Sequence, residues 1–208
     1  MRIDSRHSFS DGYPLVHLES ILKRNRFEAS VLVGQAFWPV PDFVKAIVIT
    51  SDRLDLLDQP HVRGVQHDFS SGEIPAWLAN IERVDVLHSL HLVPQIAERY
   101  PHLRMVIDHL GAPASETWAQ ELAQAAQIPQ VYCKLSGLMM FGEPRPFVRH
   151  ALALFGPQRL MFGSDWPNSL PEHAWKANLA AFTQAIGAQS IEVREELLGG
   201  TAARFYDI

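Results

Sequence analysis

Eight short apolar runs, separated by turn signals or amphipathic stretches, constrain this chain more than any other feature. They predict strands over Arg2–Arg6, Glu28–Gly34, Lys45–Thr50, Val62–Asp68, Val84–His88, Arg104–Leu110, Gln130–Ser136 and Arg159–Asp165. Stretches such as Leu103–Ile107, broken only by Arg104, are apolar at successive rather than alternate positions. Such a strand is buried on both faces, the condition of a parallel sheet covered by helices. Helical spacing lies between the runs. Leu15, Leu18, Ile21 and Leu22 recur at three and four, as do Trp118, Leu122 and Ala125, and Phe147, Ala151 and Leu154. Val93–Arg99 is a short helix stopped by Pro101. Pro39 and Pro41 erode the second connecting helix to a loop, and the third, Arg53–Leu57, is short.

Two architectures alternate strands and helices in this way. An open doubly wound sheet has five to seven strands as a rule and often a glycine-rich first turn. No G-x-G-x-x-G follows the first run here, and eight strands favour closure. The expectation is a compact (β/α)₈ TIM barrel filling residues 1–208 as one domain. At 208 residues it falls below the typical length of about 250, so its loops must be minimal.

Composition excludes several function classes. A net charge of −5 gives no electrostatic reason to bind nucleic acid or an anionic membrane. The single cysteine, Cys133, precludes an intrachain disulfide and sits in an apolar run, where it reads as a small buried hydrophobe. No apolar stretch reaches membrane-spanning length, and Met1–Gly12 has no signal-peptide core. A cytoplasmic protein with a small-molecule substrate is expected; a homodimer is left open.

In a barrel, chemistry sits at the C-terminal ends of the strands. Strand six ends in Asp108-His109-Leu110-Gly111 and strand eight in Gly163-Ser164-Asp165-Trp166. Strand four ends at Gln66-His67-Asp68, strand five at His88, and strand seven in Lys134-Leu135-Ser136. If alternation holds, Met105, Ile107 and His109 share one face and Asp108 turns to the helices, where it needs a partner. Met161, Gly163 and Asp165 share a face likewise. An imidazole and a carboxylate converging over the mouth could bind a divalent cation, or act as base and electrophile without one. Taken alone, His109 reads as a capping residue and Asp165 as a helix N-cap.

The same strand ends carry a resemblance. Val106-Ile107-Asp108-His109-Leu110-Gly111-Ala112-Pro113 is similar to the DHLG-x-P motif of the amidohydrolase-related family of TIM-barrel hydrolases, which includes sugar lactonases and dicarboxypyrone-type lactonases. Tyr132–Gly137 resembles its YCKLSG strand, Arg159–Pro167 its RLMFGSDWP strand, and Thr201–Tyr206 its closing helix. These matches run from about Val84 onward. Earlier, only Ile3-Asp4 and Val62–Val65 align, and more loosely. The resemblance implies that His109 and Asp165 are catalytic, with Asp165 taking a proton from water and His109 polarising or anchoring the substrate.

The departures are as informative. The family's first strand reads I-D-A-H-x-H-F; the two histidine positions fall on Arg6 and Ser8, with His7 between them on the opposite face. No cofactor is therefore expected, except one divalent metal (zinc) at low occupancy on His88, His109 and Asp165. Arg6 would add a fixed positive charge in place of the metal's and bind a substrate carboxylate. Lys134, His67 and Trp166 are further substrate-binding candidates. Gln66 stands where the family often has arginine.

The expected function is hydrolysis of a small carboxylated lactone or cyclic ester, with Asp165 as general base and His109 as electrophile or anchor. The alternative is a degenerate, non-catalytic barrel that binds a ligand or partner. An ion pair between Arg6 and Asp165 would weaken the base and favour that alternative.

Overall fold

Strand β1 (Ile3–His7) begins a sheet whose remaining members are β2 (Ala29–Gly34), β3 (Val44–Thr50), β4 (Val62–Asp68), β5 (Arg83–Leu87), β6 (Arg104–Ile107), β7 (Val131–Leu135) and β8 (Leu160–Phe162). The eight pair in sequence order, every pair parallel. The segment after β8 returns to β1 through a parallel bridge between His7 and Trp166, so the sheet closes into a barrel. The computed structural model describes residues 1–10, 12–36, 38–168 and 174–208.

Helices α1 (Leu15–Arg24), α2 (Val93–Arg99), α3 (Trp118–Ala126) and α4 (Arg145–Phe155) follow the expected spacing, α7 (Thr201–Tyr206) is the closing helix that the resemblance implies, and α5 (Ala174–Ile186) and α6 (Ile191–Glu195) are additional. On α4 the buried stripe is Val148, Ala151 and Phe155, one residue on from Phe147 and Leu154. No α-helix follows β2 among the described residues, and a 3₁₀ segment, Ser51–Leu56, replaces the short third helix. None of the helices is long and apolar enough to cross a membrane among the described residues.

Two hydrophobic layers follow from two-residue periodicity. Val31, Val33, Ala46, Val48, Val106 and Met161 fill the barrel and meet Ala202, Phe205 and Tyr206 of α7, which plugs its floor. Ile47, Ile49, Val84, Val86, Met105, Ile107, Cys133 and Phe162 face the helices instead. Strand six is therefore phased opposite to expectation. Val106 lies inside, Met105 and Ile107 outside, and Asp108 follows Val106 inward.

The polar residues of the interior are as ordered as the apolar ones. Lys134 of β7 is wholly buried, donates to Asp85 of β5 and lies 3.1 Å from Asp108 Oδ1. Tyr206 Oη donates to both Asp85 oxygens at 3.1 Å. A charged column thus runs from the plug helix towards the mouth. Burial and the neighbouring Asp85 push the Tyr206 phenol well above its ordinary pKa, so it stays a donor.

Candidate active site

The C-terminal rim is assembled by backbone that leaves the strands abruptly. His109 and Leu110 adopt φ of 51° and 57°, and Asp165 one of 55°. These left-handed conformations are uncommon outside glycine, and they end the alternation of β6 and β8. His109 can therefore turn to the mouth even though Asp108 before it already faces inward. Trp118 Nε1 of α3 holds the β6 exit by donating to Leu110 O at 2.7 Å. At the β8 exit, Asp4 accepts from Ser164 N (2.8 Å) and Trp175 Nε1 (2.7 Å), while Asp165 N donates to Arg6 O (2.9 Å).

His109 and Asp165 meet at 3.8 Å, Nε2 to Oδ1, both nearly buried. Ser136 Oγ lies 3.0 Å from His109 Nδ1 and accepts from His109 N at 3.3 Å, fixing the ring. Gly137, at φ +62°, gives that ring room: a Cβ there would stand 2.7 Å from Nδ1. Burial, reinforced by Arg6, holds the imidazole below its ordinary pKa, so it is neutral at pH 7.

Arg6 is the third member. A register shift between Asp4 and His7 carries Asp4 towards Trp175 and Arg6 into the barrel, so two residues that simple alternation would put on one face lie on two. Arg6 Nε donates to Asp165 Oδ1 (3.2 Å) and Nη1 to Asp108 Oδ2 (3.0 Å). Gln66 Nε2 donates to the same Asp108 oxygen at 2.7 Å. Burial would raise the Asp108 carboxyl, but Arg6 and Lys134 outweigh it and hold it well below the usual range. Gly163 makes space for the arginine stem, since a Cβ would fall 2.8 Å from that of Arg6.

The other expected participants are elsewhere. Lys134 is not open to a substrate, because it is enclosed between Asp85 and Asp108. His88 is half exposed and bonds Asp68 Oδ1 at 3.0 Å instead of joining His109 and Asp165. His67 packs against Phe69 and Trp77, with Nδ1 2.8 Å from Ser51 Oγ. Trp166 is buried edge-on against Tyr13. His7 is enclosed in apolar surroundings, which push its pKa down to about 3. Asp108, Asp85, Gln66 and Tyr206 are the residues sequence reasoning left out.

Comparison with known proteins is consistent with this geometry. Residues 28–208 match the family model described as Amidohydrolase. An L-fucono-1,5-lactonase of Burkholderia multivorans is 36% identical over 182 residues, 74% of this chain and 61% of that protein. The L-fucono-1,5-lactonase of Burkholderia ambifaria is 36% identical over 156 residues, 65% and 53% of the two. The chain thus spans between half and two thirds of these relatives' length. Two crystal structures of an amidohydrolase from Burkholderia multivorans, one with bound HEPES and one with bound zinc, superpose with TM-scores of 0.83 and 0.82. Each is 25% identical and covers 100% of this chain and 99% of its own.

The described residues do not fit a tightly held zinc ion, which takes three or four protein ligands. Arg6 occupies the side of Asp165 that a cation would need, and His88 is turned to Asp68. No group of three His, Cys, Asp or Glu side chains is placed to hold a metal ion among the described residues. Elemental analysis after purification without added metal is expected to return well under one zinc per chain; one tightly held ion would overturn this arrangement.

Proposed function

The chain belongs to the amidohydrolase family, and from that premise we propose that it is a hydrolase opening a small lactone or related cyclic ester. The observation that carries this reading is the convergence of His109 and Asp165, 3.8 Å apart on the rim where barrel enzymes work. A barrel core needs neither residue. The 36% identity to two L-fucono-1,5-lactonases supports the reaction class.

Each role follows from chemistry. Asp165 accepts a proton from the attacking water. Neutral His109, fixed by Ser136, hydrogen-bonds the substrate oxygen. Arg6 Nε donates to Asp165 Oδ1 at 3.2 Å and so orients the base beside the imidazole.

A second reading rests on one contact. The Arg6–Asp165 pair at 3.2 Å engages the carboxylate, as in a barrel that binds a ligand and does not turn it over. A panel of sugar lactones and carboxylated lactones decides between the two. Turnover of at least one, lost on removing Asp165, supports the hydrolase; tight binding without turnover across the panel supports the binding barrel.

A further inference from the structure

Resting on the hydrolase reading, we propose that this site selects an uncharged lactone and rejects lactones that carry a carboxylate. The charge inventory of the mouth carries the argument. Two cations, Arg6 and Lys134, face three carboxylates, Asp85, Asp108 and Asp165, all of them buried. With His109 neutral, the described cluster has one more negative charge than positive.

Neither cation is available to neutralise a further anion. Lys134 lies wholly below the rim between two carboxylates. Arg6 is already shared by two, through Nε and Nη1. Its Nη2 makes no hydrogen bond among the described residues and is the donor left for a ligand. An oxygen placed there sits on the same guanidinium as Asp165 and Asp108. A neutral carbonyl or hydroxyl gains the hydrogen bond without repulsion. A carboxylate would meet both like charges at short range, where little water screens them.

The surroundings add to the effect. Gln66, at the end of β4, brings an uncharged amide to Asp108 and no compensating cation. The exits of β3 and β4 carry Asp52, Asp55, Asp68 and Glu73 against Arg53. Burial, together with the proximity of Asp108, raises the Asp85 carboxyl to about 6 against the pull of Lys134, as expected where negative charge is in excess.

The test uses a matched pair of 1,5-lactones that differ only at C5, one bearing a hydroxymethyl group and the other a carboxylate, with the two corresponding lactams as non-hydrolysed probes. The neutral lactone is expected to be favoured at least about 10-fold in kcat/KM, and the neutral lactam at least about 10-fold in Kd. Gln66→Arg, which adds a cation beside Asp108, is expected to narrow both ratios by about 10-fold. A carboxylated lactam that binds the unmodified protein as tightly as the neutral one overturns the proposal. Selective lactam binding with no turnover of either lactone would uphold the selectivity and remove the hydrolase reading. If neither lactam binds and neither lactone is turned over, both fall.

Discussion

Asp165→Asn is expected to lower kcat/KM for the best lactone by about 10²-fold or more, the range a positioned general base contributes. The substitution keeps the shape of the side chain, and Asn tolerates the left-handed conformation that residue 165 adopts. The backbone bond from residue 165 N to Arg6 O survives, and Arg6 retains Asp108 as a counter-ion at 3.0 Å. The variant should therefore fold, with a Tm within a few degrees of the parent. What it loses is an acceptor for the proton of water. Activity unchanged in Asp165→Asn would remove the proposed mechanism. A fall of that size at constant Tm would show that the Arg6–Asp165 contact does not prevent the carboxylate from acting as a base. His109→Ala at the same rim should also lose rate, but its effect mixes substrate anchoring with loss of the ring that packs on Gly137.

How far the sequence disclosed this arrangement depends on where the backbone stays regular. All eight strands were legible, most of them because their apolar runs are buried on both sides of the sheet. The plug helix and the positions of His109 and Asp165 were legible through motif likeness. The facing of β6 was not. Alternation counted back from His109 assumes that the strand continues to that residue, whereas it ends at Ile107 and the chain turns through two left-handed residues. The bulge in β1 breaks alternation in the same way, so Asp4 and Arg6, two residues apart, lie on different faces. The charged column did have a signal. Asp85 lies between Val84 and Val86, and Lys134 between Cys133 and Leu135. A charge flanked by two residues that must face the helices has to face the barrel, and a buried charge requires a partner.

That column sets up the largest expected stability effect, and it separates two roles for Lys134. Lys134→Met leaves Asp85 and Asp108 buried without the ammonium between them. Removing one partner of a buried ionic group costs about 3–5 kcal/mol, since the remaining charge is uncompensated. For a chain of this length that is a fall of roughly 10 °C in Tm. The penalty belongs to the stranded carboxylates rather than to the lost lysine, so Lys134→Met combined with Asp85→Asn should recover a large part of it. The non-additivity, measured as a double-mutant cycle, would be about 1–3 kcal/mol. A lysine that held a substrate anion would behave otherwise. Its loss would raise KM with little change in Tm, and Asp85→Asn would not rescue it. A Tm within about 2 °C of the parent in Lys134→Met would contradict the enclosed geometry, and would return the residue to the list of groups that reach the substrate.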